Sequence, residues 1–186
     1  MPSARHVVLA VRGLHDPVLH HIAPLGLAAS VGTAVVLDLD PDAPAYPEGE
    51  TSVFDLIDRG PRLAELDPVP GRVALFANGG ARSIEVWSLV EAMAERWPAV
   101  VVRIGAAAPA GVPCVPVIPL LPGPLHFPNR GPAVYQSMTA VDRLPGPGLR
   151  LPPLRRARIA ALVGGRFEPR WRWVRAFQPA WSLPWP

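Results

Sequence analysis

The sequence predicts an α/β domain with an open, mainly parallel sheet of about five strands and helices on both faces. An Arg/Trp/Pro-rich extension follows at the C-terminus. Two patterns predict this fold. Short, wholly apolar, β-branched runs of the kind found in parallel strands alternate with helical patterns. Hydrophobic residues also make up 49% of the 186 residues, which is enough for an apolar core without disulfides. We expect the α/β domain over residues 1–145, and a C-terminal helix and extension over residues 146–186 that packs on the domain or on a partner.

The apolar runs place five strands, and the prolines of the last one favour the edge of the sheet, since proline cannot donate to a β ladder. Shorter helices are predicted near residues 53–58, where Thr51 and Ser52 supply caps, and in the proline-rich second half of the chain. The predicted strands cover residues 6–11, 33–39, 72–76, 99–104 and 115–121, and the shorter helices cover residues 53–58, 134–140 and 154–163.

Two longer helices carry clear boundary signals. Asp16 and Pro17 provide an N-cap and a first-turn proline for a helix that reaches about residue 30. Within it, Pro24 predicts a kink or a division into two pieces. Ser83 is predicted to cap the clearest helix of the chain, whose apolar residues recur at helical spacings until Pro98 ends it.

Composition excludes several classes of site. All 18 basic residues are arginine, which is typical of high-GC coding, so there is no lysine to hold a β/γ-phosphate as a P-loop lysine does. The single Cys114 excludes an intramolecular disulfide and a multi-cysteine metal site. Adjacent His20 and His21, with His15 nearby, lack the spacing of a helical metal site. We predict no catalytic residues, no metal and no cofactor.

No apolar run is long enough to span a bilayer and no signal peptide is recognisable, so we expect a cytoplasmic protein.

Candidate ligand-binding residues follow from the fold, because open parallel sheets bind ligands beyond the carboxyl ends of their strands. The loops after the first three strands then supply the candidates, with Arg103 as a weaker addition after the fourth. The candidate ligand-binding residues are Arg12, Gly13, His15, Asp38, Asp40, Asn78, Gly79, Gly80, Arg82 and Ser83.

The loop over residues 78–83 is the best of these for a small anionic ligand. Its glycines permit close backbone approach, a helix start offers free N–H groups, and Arg82 adds charge. The alternative is an ordinary glycine-rich turn between a strand and a helix. For Asp38 and Asp40, the alternative is that they cap the loop after the second strand by accepting backbone hydrogen bonds.

A resemblance concerns residues 6–44, where HVVLAVRG and TAVVLDLDPDAP flank the first predicted long helix. This stretch resembles the start of ParA/MinD-type partitioning ATPases of the SIMIBI class, whose second strand commonly ends in Asp-x-Asp-Pro. The resemblance implies a Rossmann-like or P-loop-NTPase-like layer with Asp38 and Asp40 beside the nucleotide and metal positions. The family's glycine-rich, lysine-bearing loop is missing from the matching position, which predicts a pseudo-ATPase.

The C-terminal tail, defined here as residues 166–186, interleaves arginine with aromatic residues. It can pack on its own domain, bind a protein partner, or lie in a membrane interface, and we favour the first two because aromatic rings are costly to leave in water. Nucleic-acid binding is not expected, since the net charge is only +3. The candidate partner or membrane contacts are Arg170, Trp171, Arg172, Trp173, Arg175, Phe177, Trp181 and Trp185.

These observations together favour a non-catalytic interaction or regulatory module that has a nucleotide-binding-like fold without a phosphate loop and works with a protein partner. The first alternative is a small-molecule binding protein or enzyme that uses the strand-end loops for a phosphate- or carboxylate-bearing ligand. The second is a peripheral membrane protein held at the inner face of the membrane by its tail.

Overall fold

A computed structural model describes residues 7–47, 49, 51–82, 86–120, 131–137 and 144–186. Within these residues, seven parallel strands form one sheet in the order β3-β2-β4-β1-β5-β6-β7. The strands are β1 (Val8–Gly13), β2 (Ala34–Asp38), β3 (Val73–Phe76), β4 (Val100–Arg103), β5 (Cys114–Leu120), β6 (Ala133–Ser137) and β7 (Gly148–Leu151). The helices are α1 (Pro17–Ala29), α2 (Val53–Arg59), α3 (Leu63–Leu66), α4 (Val86–Arg96), α5 (Arg156–Val163), α6 (Arg172–Arg175) and a 3₁₀-helix (Gln178–Ser182).

Helices cover both faces of this sheet, as the alternation of side chains along the strands requires. In β1, Leu9 and Val11 point to the face on which α1, α5 and the C-terminal tail pack, here called the α1 face. The intervening Ala10 points to the opposite face, which α2 and α4 cover and which is here called the α4 face. The predicted open parallel α/β fold is therefore confirmed, with more strands than the sequence indicated.

Helix α1 begins where its sequence signals place it. The Asp16 carboxylate accepts the Leu19 N–H at 2.9 Å, and Pro17 occupies the first turn. All side chains from Leu19 to Ala29 are buried against the sheet and the tail. The helix continues through Pro24 as one element, so the predicted division into two pieces does not occur.

Strand β5 lies inside the sheet, between β1 and β6, and not at the edge that its prolines predicted. Along a strand, the backbone hydrogen-bonding groups of successive residues point alternately to the two neighbouring strands. The Val117 carbonyl accepts the Leu14 N–H, so Val117 faces β1. By this alternation Pro119 also faces β1, whereas Pro116 faces β6. Pairing with β1 ends at Val117 and pairing with β6 begins there. Each proline therefore faces a neighbour beyond the paired stretch, where its missing N–H interrupts no ladder.

The helix predicted over residues 134–140 is wrong, because Ala133–Ser137 form β6 and residues 138–140 lie outside the described residues. Strands β5 and β7 pair with β6 on its two sides and supply hydrogen bonds that a short helix would have to find locally. Val134 and Tyr135 also favour an extended backbone. Strand β7 was not predicted from the sequence.

The C-terminal tail completes the core on the α1 face. Trp173, Phe177 and Trp181 are at most 1% exposed. The indole N–H of Trp181 reaches the Ser30 hydroxyl at 3.2 Å, at the end of α1. A side chain at Gly26 would place its Cβ 2.3 Å from the Trp173 ring, so glycine here lets the tail lie directly on α1.

None of the helices in the described part of the chain combines the length and the apolar character needed to cross a bilayer.

Replacing Trp181 by alanine tests whether the tail is part of the core. We expect Trp181→Ala to lower the free energy of unfolding by about 3–5 kcal/mol, because it removes a fully buried indole and leaves a cavity. Urea denaturation followed by circular dichroism measures this. Arg175→Ala, at an exposed position of the same tail, is the matched control and should change stability by no more than about 0.5 kcal/mol. Equal, small effects of both substitutions would contradict the core role.

Candidate functional site

A cleft of about 440 Å³ lies beyond the carboxyl ends of β2 and β3. Six of the ten candidate ligand-binding residues line it, which are Asp38, Asp40, Asn78, Gly79, Gly80 and Arg82. The lining does not include Arg12, Gly13 or His15, which belong to the end of β1 and the turn after it. Ser83 lies outside the described residues, as does its predicted cap on α4.

Asn78 shapes the loop after β3. Its side-chain amide donates to the carbonyl of Asp38 at 3.1 Å and to that of Ala81 at 3.2 Å, and its amide oxygen accepts the Gly80 N–H at 2.9 Å. Gly79 has a φ of 66°, and a Cβ there would lie 2.3 Å from the Ser52 hydroxyl. The loop is held by hydrogen bonds within the chain, which supports the interpretation as a glycine-rich turn.

A buried ion pair ends β2 and β4. Asp38 and Arg103 are both fully buried, and the guanidinium binds the carboxylate with two hydrogen bonds, of which Nε to Oδ1 measures 2.7 Å. The two residues are direct neighbours in the register of β2 and β4. Asp38 also accepts the Asp40 N–H at 3.2 Å, in the loop-capping role considered from the sequence. Its carboxylate is therefore committed to the fold.

The remaining donors and the face of Arg103 are also satisfied. Nη1 donates to the carbonyl of Pro44 at 3.0 Å, and the guanidinium lies 4.2 Å from the centre of the Tyr46 ring. The Tyr46 hydroxyl donates to the carbonyl of His21 at 2.7 Å, and burial raises the pKa of this phenol. Sequence reasoning undervalued Arg103, because only the pairing of β2 with β4 reveals its partner.

His21 is held neutral beside this ion pair. Its Nδ1 lies 3.3 Å both from Nη1 of Arg103 and from the carbonyl of Pro44. In the neutral ring, a proton on Nε2 can be donated to the carbonyl of Val163 at 3.4 Å while Nδ1 accepts from Arg103, so this tautomer satisfies more of the contacts than a proton on Nδ1, which would face only the Pro44 carbonyl. Burial and the positive charge of Arg103 lower the pKa of His21.

The turn between β1 and α1 is closed by its own side chains. The Gly13 N–H donates to Nδ1 of His20 at 2.9 Å, and Nε2 of the same ring lies 2.7 Å from the Asp40 carboxylate. Because Nδ1 accepts, the proton is on Nε2 and is donated to Asp40. A Cβ on Gly13 would lie 2.4 Å from the Cα of His20, so the strand and helix are in direct contact here. A residue with a side chain would not fit at position 13.

The cleft itself has an acidic character. The Asp38 charge is balanced by Arg103, but Asp40 and Asp55 place two more carboxylates on the walls, against the exposed guanidinium of Arg82. Hydrogen bonds from the side chain and backbone of Ser52 lower the pKa of Asp55 and keep it ionised. A multiply charged anion would meet net repulsion in this cleft.

Metal and thiol chemistry find no support among the described residues. No group of three or more histidine, cysteine or acidic side chains is arranged there to hold a metal ion. Cys114 is half-buried, and burial raises the pKa of its thiol, which disfavours a nucleophilic thiolate.

The structure divides the candidate contact residues of the tail by type. Trp173, Phe177, Trp181 and Trp185 are buried in the core, so the folded domain does not offer them to a partner or membrane. Trp171 is half-buried, and the three arginines of this set, at positions 170, 172 and 175, are exposed. The accessible part of the predicted contact surface therefore consists of the three arginines and part of Trp171.

Comparison of the chain with protein-family models, with curated proteins and with solved structures gives no match. The functional argument therefore depends on the residues and their geometry.

Removing one or both partners tests the role of the buried ion pair. Asp38→Asn should lower the free energy of unfolding by about 3–5 kcal/mol, because it leaves the Arg103 charge buried without its partner. The double substitution Asp38→Leu/Arg103→Met removes both charges and should cost less than Asp38→Asn alone. Urea denaturation gives the values. Glu65→Gln, in the more exposed Arg59–Glu65 pair, is the control and should have a much smaller effect. Equal losses from Asp38→Asn and Glu65→Gln would refute the assigned role.

The lowered pKa of His21 predicts a pH dependence of stability. Below its unfolded value of 6.5, the unfolded chain binds a proton that the folded domain does not. The contribution of His21 to the free energy of unfolding is therefore complete above pH 6.5 and is lost as the pH falls from there towards the lower folded pKa. Urea denaturation at several pH values should show a steeper acid loss in the wild type than in His21→Gln, which keeps an acceptor for Arg103. Parallel curves would contradict this assignment.

Proposed function

We propose that this protein is a non-catalytic interaction or regulatory module with a nucleotide-binding-like α/β fold, a degenerate relative of ParA/MinD-type ATPases. The observation that carries the proposal is the closed turn between β1 and α1. The phosphate loop of the family would lie at this position, and here the chain fills it with Asp16 and with the hydrogen-bonded series Gly13, His20 and Asp40.

The start of α1 is unsuited to a phosphate. Helix N-termini bind anions through free backbone N–H groups. Here the Leu19 N–H is taken by the Asp16 carboxylate, the His20 N–H by the Asp16 carbonyl, and Pro17 has no N–H. The Asp16 carboxylate would also repel a phosphate, and the chain has no lysine to offset that repulsion.

The acidic motif is also unavailable for the role that the resemblance implies. A metal beside a nucleotide needs carboxylate oxygens that are free to bind it. Asp38 is committed to Arg103, and Asp40 accepts from His20 and from the Asp42 N–H. This arrangement supports a domain that acts through its surface rather than by turnover of a nucleotide.

A second candidate function is the binding of a small phosphate- or carboxylate-bearing ligand in the cleft. The observation that favours it is the exposed guanidinium of Arg82, which lines the cleft beside Gly79 and Gly80. The acidic walls favour a ligand with a single negative charge over a polyphosphate. No membrane role is proposed, because the aromatic side chains that would anchor the tail are mostly buried.

A thermal-shift screen of the purified protein separates these functions. A ligand at about 100 times its Kd adds roughly 2.7 kcal/mol to the stability of the folded state. We expect no shift with ATP, ADP or GTP, with or without magnesium. A shift with inorganic phosphate or a phosphorylated or carboxylated metabolite, lost in Arg82→Ala but not in Arg72→Ala, would favour the small-ligand function.

Hydrolysis of ATP by the purified protein would contradict the proposed non-catalytic function. If the purified protein hydrolyses ATP and Asp40→Asn abolishes the activity without lowering the melting temperature, the non-catalytic function is wrong. Asp40→Asn suits this test better than a change at Asp38, because the latter would also break the buried ion pair.

A further inference from the structure

The small net charge of the chain conceals two strongly charged segments of opposite sign. Residues 38–67 contain nine acidic residues and two arginines, whereas residues 144–186 contain eight arginines and one glutamate. A net charge of +3 for the whole chain therefore describes neither segment. Their positions in the fold decide whether the charges neutralise each other within one molecule.

Helices α2 and α3 of the acidic segment lie on the face of the sheet opposite α5 and the C-terminal tail. Helix α2 packs on the α4 face through Val53 and Leu56, and Leu66 of α3 packs against the same cluster. Helix α5 packs on the α1 face through Leu162, and the tail does so through Trp173 and the aromatic residues that follow it. The sheet therefore separates much of the acidic surface from the basic surface.

The arginine surface is accessible and uncompensated. It consists of the eight arginines of residues 144–186, and every one of them is exposed. No ion pair joins any of them to a described carboxylate, whereas Arg59 and Arg103 elsewhere in the chain do form such pairs. Val163 lies among these arginines at the end of α5 and is 43% exposed.

The opposite surface, formed by α2, α3 and the residue that follows α3, combines acidic and apolar groups. Four acidic residues of this stretch, Asp55, Asp58, Glu65 and Asp67, outnumber Arg59 and Arg62, and Asp58 and Asp67 are exposed together with both arginines. Beside them, Phe54 is 49% exposed and Leu63 is 64% exposed. Large apolar side chains surrounded by charges are the usual anatomy of a protein interface. We call this the α2–α3 surface.

We propose that the arginine surface of one copy of this chain binds the α2–α3 surface of a second copy. This proposal rests on the proposed role as an interaction module and names the partner. Guanidinium groups bind carboxylates with directed, paired hydrogen bonds, and the exposed apolar side chains of both surfaces would be buried between the copies. Because the two surfaces lie on opposite faces, each added copy leaves one of each surface open, and the assembly grows head to tail.

Sedimentation velocity of the full chain at several concentrations and two ionic strengths tests this proposal. At low salt the mean mass should rise with concentration without a fixed stoichiometry. At about 1 M salt the Debye length falls to about 3 Å, and the mass should fall towards that of the monomer. A monomer under every condition would overturn the self-association. It would leave the proposed non-catalytic function intact, because the nucleotide screen and the ATPase assay test that function separately.

Charge reversal identifies the surfaces. Arg155→Glu/Arg156→Glu makes part of the arginine surface acidic, and Asp58→Arg/Asp67→Arg makes part of the α2–α3 surface basic. The self-association constant of each variant alone should be at least tenfold lower than that of the wild type. In an equimolar mixture, the two variants should associate with each other. Arg12→Glu/Arg72→Glu changes the net charge equally but lies off the arginine surface, at the ends of strands. This control should associate like the wild type.

The remaining outcomes also decide the question. If the control loses association as completely as Arg155→Glu/Arg156→Glu, overall charge and not this surface is responsible, and the proposal is wrong. If the wild type stays monomeric but binds duplex DNA, and Arg155→Glu/Arg156→Glu does not bind it, the arginine surface binds nucleic acid and the self-association proposal is wrong. Melting curves check the fold of each variant, and Arg170→Glu/Arg172→Glu replaces the first pair if that variant unfolds.

Discussion

The buried ion pair of Asp38 and Arg103 is the interaction on which this end of the molecule depends. A charge removed from water is tolerated only when it is paired and its remaining hydrogen-bonding groups are satisfied. Arg103 accordingly binds the carboxylate with two hydrogen bonds, donates to Pro44 and lies over the ring of Tyr46. Its charge also helps to keep His21 neutral. The path of the chain after β2 follows from these requirements.

This arrangement changes what the carboxyl ends of the strands can do. In open α/β sheets this edge usually presents polar groups to a ligand. Here Asp16 caps its own helix, and His20 connects Gly13 to Asp40. The described residues contain no buried side-chain nitrogen or oxygen without a hydrogen-bond partner. The buried polar groups of the site therefore bind one another, and for this reason the proposed function concerns the outer surface of the domain.

The C-terminal tail contains both buried aromatic residues and exposed arginines. In one short helix, Trp173 and Val174 face the core, while Arg172 and Arg175 face the solvent. The same segment therefore completes the hydrophobic core and contributes to the arginine surface. This dual role explains why interleaved arginine and tryptophan need not indicate a membrane anchor, because helical geometry separates the two residue types onto different sides.

The sequence by itself determined the features that depend on local chemistry. Apolar runs marked the first five strands, and Asp16 marked the start of α1, because side-chain burial and capping act over a few residues. Tertiary structure decided the rest. The interior position of β5 depends on where its neighbours stop pairing, and the partner of Asp38 lies 65 residues away on β4. The packing of the tail on α1 depends on Gly26 leaving space for Trp173. These contacts join residues that are far apart in the sequence, and they form only once the strands have taken their order in the sheet.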